Sequence, residues 1–136
     1  MATLSNPTLE IDRLTGETYR VTAKVNVQFT PTELYWMNPS RGRAVVPVEL
    51  KSNLWGDDDV DLILGQDDNL FSFPTRKITR SATYTFSAVV AGSVLDEDPG
   101  FFTPDEIYNK FSLVSGNPTK IPNGARNSPI IRREFG

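Results

Sequence analysis

The stretch Glu17-Thr18-Tyr19-Arg20-Val21-Thr22-Ala23-Lys24-Val25-Asn26-Val27-Gln28-Phe29 decides the fold. Tyr19, Val21, Ala23, Val25, Val27 and Phe29 alternate without a miss against Arg20, Thr22, Lys24, Asn26 and Gln28. A period of two is that of a strand with one buried and one wet face. Pro31 closes the run, because its ring nitrogen cannot donate to a ladder. Outward from this strand, Ala44 to Trp55 carries Val46, Val48 and Leu50 on one face, and Pro47 within it predicts an edge position or a bulge. Shorter apolar runs follow at Val60–Leu64 and Leu70–Phe73. From Ile78 to Val90 the even positions are apolar apart from Arg80, which is expected at the strand's end, where its head reaches water.

Turn signals separate these runs: Leu14-Thr15-Gly16, Asn38-Pro39-Ser40-Arg41-Gly42, Trp55-Gly56-Asp57, Leu64-Gly65-Gln66, Asp98-Pro99-Gly100 and Ser115-Gly116-Asn117-Pro118. Strands punctuated this way, without intervening helical periods, predict an all-β fold, a single antiparallel β-sandwich of about seven to eight strands. One helical signal interrupts. Thr103-Pro104-Asp105-Glu106 has the order of a capping box, but Ile107, Asn109, Phe111 and Leu113 then alternate with Tyr108, Lys110, Ser112 and Val114. At most one helical turn near 103–107, leading into a strand at 107–114, reconciles the two patterns.

The ends differ from the body. Residues 1–16 read as an N-terminal arm and a first short strand, 17–114 as the sandwich, and 115–136 as an extended basic C-terminal arm, since 115–129 hold three Pro and two Gly among few apolar side chains. Three Asn-Pro-Ser/Thr triplets, at Asn6, Asn38 and Asn117, read as turns, and their central Pro excludes glycosylation. Their flanks share nothing, so they are not a repeat.

Among 136 residues there is no Cys and no His. Thiolate nucleophiles, disulfides, Cys-ligated metals, imidazole ligands and the Ser-His-Asp triad are therefore excluded. Carboxylate chemistry and binding without chemistry survive. The first residues lack a basic segment followed by an apolar one, which predicts a chain made in the cytoplasm without a signal peptide. No apolar run approaches the ~18 residues of a spanning helix, and a membrane partner is not expected.

The net charge of −3 conceals a segregation. Residues 1–56 carry +1, residues 57–109 carry −8 and residues 110–136 carry +4. The acids gather at Asp57, Asp58, Asp59, Asp61, Asp67 and Asp68, and at Asp96, Glu97, Asp98, Asp105 and Glu106. Counted from Asp57, the first cluster has the spacing of an EF-hand loop, but Leu62 stands where its turn needs Gly, and the reading fails there. The second, Asp96-Glu97-Asp98-Pro99-Gly100, resembles the acidic loops of calcium-dependent lipid-binding sandwich domains. That resemblance implies calcium as the one cofactor to consider, held by Asp57, Asp59, Asp61, Asp96, Asp98 and Asp105. Asp96 and Asp98 as a glycosidase pair are disfavoured, because short loops offer little cleft.

The acidic body also disfavours nucleic acid, whose phosphates demand neutralisation. Trp36 beside Tyr35 reads as core or interface rim. The leading expectation is a non-enzymatic assembly subunit whose partner is itself or another protein. Its arm would dock on a neighbour through Arg126, Ile130, Ile131, Arg132, Arg133 and Phe135. In profile, a small acidic sandwich with extended arms is similar to head, neck and tail components of bacteriophage virions. The alternative is a calcium-dependent ligand- or membrane-binding sandwich using loops 57–68 and 96–106.

Overall fold

A computed structural model describes residues 1–38, 45–56, 68–96, 105–133 and 135. Strand β1 (Thr3–Arg13) turns into β2 (Thr18–Gln28) through a tight hairpin. Gly16 makes that turn possible: its φ is +76°, a region a side chain resists, and Leu14 N–H closes the turn on Thr18 O at 2.9 Å. At Asn6-Pro7 the register slips by one residue between Ser5 and Thr8, and Asn6 takes φ +50°. A proline without an N–H thus sits in a bulge of an edge strand, where no ladder bond is lost.

Helix α1 (Pro31–Met37) follows, then β3 (Val48–Gly56), β4 (Asp68–Ser72), β5 (Arg76–Ile78), β6 (Ala82–Ala91), the single turn α2 (Gly92–Leu95), β7 (Asp105–Ser115), β8 (Gly124–Asn127) and β9 (Ile131–Arg133). The strands form two antiparallel sheets. One has the order β1-β2-β6, and the other β4-β3-β7-β8, with β5 also on β3 and β9 also on β7. β4 and β5 lie on the same side of β3, along Asn53–Gly56 and Val48–Leu50, so they are one edge strand broken at Phe73-Pro74-Thr75. β8 and β9 are likewise one edge strand on β7, broken around Pro129. The architecture is three strands facing four, an all-β Greek-key sandwich.

Both inner faces alternate as a half-buried sheet must. Val21, Ala23, Val25 and Val27 of β2 and Phe86 and Val90 of β6 meet Val48, Leu50 and Leu54 of β3 and Ile107, Phe111 and Leu113 of β7. Phe73, Phe86 and Phe111 pack through the middle as tilted rings with centroids 5.8 and 6.3 Å apart. Two polar side chains interrupt this core. Asn109 Nδ2 donates to Ser52 Oγ at 2.9 Å, and both residues are fully buried. The strand continuing from β8 satisfies the Asn109 backbone: Asn109 N–H donates to Ser128 Oγ and Ser128 N–H to Asn109 O.

The sandwich, the alternating face of β2 and the inward even positions of β6 are as the sequence predicts. Arg80 is exposed just before β6 starts. Several details differ. β3 is central, between β4/β5 and β7, and Pro47 is accommodated because it precedes the first ladder residue. Pro47 also packs so closely on the turn after β7 that a Cβ on Gly116 would lie 2.7 Å from its ring. β1 is a long strand in place of an arm with a short one.

Helix α1 is a true helix that the alternation reading passes over. Thr30 caps it, with Glu33 N–H donating to Thr30 Oγ1 and Thr30 N–H donating to Glu33 Oε1 at 2.9 Å. Thr30-Pro31-Thr32-Glu33 has the same signature as Thr103-Pro104-Asp105-Glu106, yet Asp105 and Glu106 already belong to β7. The residues after the cap make the difference: Leu34-Tyr35-Trp36-Met37 has no period of two, whereas 107–114 does. Residues 103–104, Val60–Leu64 and most of loops 57–68 and 96–106 lie outside the described residues.

The largest difference is the C-terminal segment. Residues expected to extend from the body form β8 and β9 on β7, and Ile121 and Phe135 are buried. The Phe135 ring meets Tyr19 edge-on at 5.3 Å. An edge strand needs few apolar residues, because one side chain in several suffices to fill its share of the core. The low apolar content that suggests an arm is thus that of a half-covered edge.

Candidate functional site

A sandwich of two open sheets has four edges, and unpaired edges attract other strands unless they are blunted. Three are blunted here. β4/β5 is broken at Pro74 into strands of five and three residues, and β8/β9 is broken at Pro129 into four and three. β1 carries the Asn6-Pro7 bulge and the charges of Glu10, Asp12 and Arg13, and two arginines from the neighbouring edge cap its carbonyls. Arg126 Nη1 donates to Leu4 O at 3.1 Å and Arg133 Nη2 to Ile11 O at 2.8 Å.

The fourth edge is β6, ten residues long, Ala82-Thr83-Tyr84-Thr85-Phe86-Ser87-Ala88-Val89-Val90-Ala91. It contains no charge, no Pro and no Gly, and its register on β2 runs unbroken from Ala82 to Ala91. Its free backbone groups follow from the ladder. Gly92 N–H donates to Glu17 O at 2.7 Å, in step with the Thr18–Ala91 pair. Antiparallel bonds alternate in direction, so the even residues of β6 turn N–H and C=O toward β2. Thr83, Thr85, Ser87, Val89 and Ala91 turn theirs away, and among the described residues no strand pairs with them. Their side chains are all exposed, Val89 at 58%.

A shallow cleft of about 200 Å³ opens beside this edge, lined by Phe73, Pro74 and Arg76 from the broken strand and Thr85, Phe86 and Ser87 from β6. The Arg76 guanidinium lies 5.3 Å from the Phe86 ring centre, covering the core where the two sheet edges part. The Tyr84 hydroxyl, earlier on the same strand, donates to Arg80 O. Burial raises the pKa of this phenol, while Arg80 and Arg76 act in the opposite sense.

The residues expected to bind partners lie elsewhere and are engaged within the chain. Besides the contacts of Arg126 and Arg133, Arg132 Nε meets Glu106 Oε1 at 3.0 Å, Ile131 pairs with Ile107, and Phe135 is buried. Ile130, at 47% exposure, faces outward. Of the six expected calcium ligands, Asp57, Asp59, Asp61 and Asp98 fall outside the described residues. Asp96 is half-buried after α2. Asp105 is buried, and its Oδ2 accepts from Phe135 N–H at 3.3 Å. Among the described residues no three acidic side chains form a group that could hold a metal. The β6 edge is not among the sites expected from the sequence, although a ten-residue run without charge, Pro or Gly is visible in it.

No family model matches this chain, and no curated protein does. Two solved structures show a distant likeness. A β-glucosidase 3B from Thermotoga neapolitana, solved with glycerol, is 13% identical, with a TM-score of 0.38 over 98% of this chain and 17% of that one. The putative ApaA protein from Bordetella pertussis is 10% identical, with a TM-score of 0.39 over 99% of this chain and 94% of that one. The chain thus spans about a sixth of the glucosidase, and neither likeness bears on what the β6 edge does.

Proposed function

We propose that this chain is a non-enzymatic assembly subunit, a β-sandwich that joins neighbouring protein subunits through the free edge of β6. The observation that carries this reading is the asymmetry of the edges. Among the described residues, two edges are broken at prolines, a third is bulged and capped by Arg126 and Arg133, and β6 alone is long, regular and uncharged. Strand addition to such an edge supplies main-chain hydrogen bonds at little cost in reorganisation. The docking role belongs to β6 and not to the C-terminal segment, because that segment already fills the edge of β7. A virion head, neck or tail component is one setting for such a subunit, and the segregated charge is what supports it.

The test uses tagged chains produced in the source cells and sized by gel filtration. Thr85→Pro removes one outward N–H of β6 and leaves the bonds to β2 intact. The wild type is expected in a high-mass complex and Thr85→Pro as a folded monomer. A wild type that elutes as a monomer from the source, or a Thr85→Pro chain that stays in the complex, contradicts the reading.

A further inference from the structure

Resting on that reading, we infer that the occupant of the β6 edge is a second copy of this chain, paired β6 to β6 in antiparallel orientation about a two-fold axis at Ser87. Two observations select this occupant. The outward-facing residues are Thr83, Thr85, Ser87, Val89 and Ala91, and Ser87 is their centre. A two-fold there makes Ser87 exchange both backbone hydrogen bonds with its own counterpart and sets Thr85 opposite Val89 and Thr83 opposite Ala91, so every free group of one copy finds its partner on the other. The exposed Val89 side chain is then covered by the methyl-bearing Thr85 of the other copy.

The second observation is charge. Arg80 is exposed just before β6, Lys77 is exposed on β5 opposite Glu49, and Asp96 follows β6 after α2. Among the described residues, none of Lys77, Arg80 and Asp96 makes an ion pair. Within one copy the length of β6 holds the two flanks roughly 30 Å apart. An antiparallel neighbour lays its Asp96 toward Lys77 and Arg80 at both ends, whereas a parallel neighbour sets like charge against like. The uncharged strand between them brings no repulsion into the ladder. Opposite charges placed this way fix orientation and register more than they add affinity.

The chain's lack of cysteine makes the test clean. A hydrogen-bonded antiparallel pair has Cα atoms ~5.5 Å apart, within the ~4.4–6.8 Å that a disulfide spans. Ser87→Cys is therefore expected to form a disulfide dimer of the purified protein under mild oxidation. Thr83→Cys, whose counterpart lies ~25 Å away along the strands, is expected to form no disulfide. Lys77→Glu with Arg80→Glu, added to Ser87→Cys, should cut the yield several-fold. Mixing that chain with one carrying Asp96→Lys and Ser87→Cys should restore it. A Ser87→Cys chain that forms no disulfide dimer, equal cross-linking at both positions, or no rescue on mixing overturns the inference. If Ser87→Cys forms no disulfide dimer while Thr85→Pro still leaves the source complex, the second copy fails and the assembly reading stands; if the wild type is also monomeric in the source, both fall.

Discussion

Arg133 Nη2 donates to the carbonyl oxygen of Ile11 at 2.8 Å, joining residues 122 apart in sequence. With Arg126 on Leu4 O, it ties the last strands to the first and closes one side of the sandwich. The guanidinium also lies 4.9 Å from the Phe135 ring centre, so its planar head covers the aromatic plug at the same corner. On the side formed by β6 and β4/β5, Arg76 lies over Phe86 at the comparable place.

Arg133→Ala frees the Ile11 carbonyl to water and uncovers Phe135. A charge-assisted hydrogen bond at a part-exposed site is worth about 1–2 kcal/mol. Chemical denaturation should show a loss of that size, and Arg133→Lys should recover only part of it, since a point charge replaces a fork that both donates and stacks.

Phe135→Ala empties the pocket against Tyr19 and loosens the Phe135 backbone from Asp105. A buried Phe→Ala change costs roughly 3 kcal/mol or more, and denaturant midpoints should fall accordingly. Deleting residues 118–136 is expected to do worse, exposing the edge of β7 and the core around Ile121, so that the truncated chain aggregates or unfolds in place of remaining a folded monomer.

Ser52 and Asn109 form a closed polar pair inside the core, and removing one leaves the other without its partner. Ser52→Ala or Asn109→Ala alone should cost about 2 kcal/mol. The double variant should cost less than the sum by about 1 kcal/mol, read by a double-mutant cycle in urea.

Calcium is expected to leave thermal unfolding unchanged. Asp105, one of its expected ligands, is buried and commits Oδ2 to the Phe135 N–H. A ligand bound by the native state alone raises the unfolding temperature by mass action, so a rise at millimolar calcium that chelator reverses would restore the calcium reading.

Much of the fold is legible in the sequence, because its central strands obey a period of two. β2, β6 and the later part of β7 announce their inner faces, and the polar Asn109 stands in step with Ile107 and Phe111. What is hidden depends on position in the sheet. β8 and β9 are edge strands with few apolar residues, so by composition they resemble an arm. The same Thr-Pro-x-Glu signature opens α1 at 30–33, whereas the Asp105 and Glu106 of its second copy lie in β7, because a competing period of two follows them. The candidate site is the least legible, since an edge is defined by which strand lacks a neighbour, and that is a property of topology.

The central claim is that the outward backbone groups of β6 are free in the subunit and paired in the assembly. Amide hydrogen exchange resolved to single residues measures this directly, comparing dilute monomer with assembled protein. Phe86 and Ala88 should be protected in both, whereas Thr85, Ser87 and Val89 should exchange fast in the monomer and become protected on assembly. Protection of Thr85, Ser87 and Val89 already in the monomer, or none gained on assembly, would contradict the account.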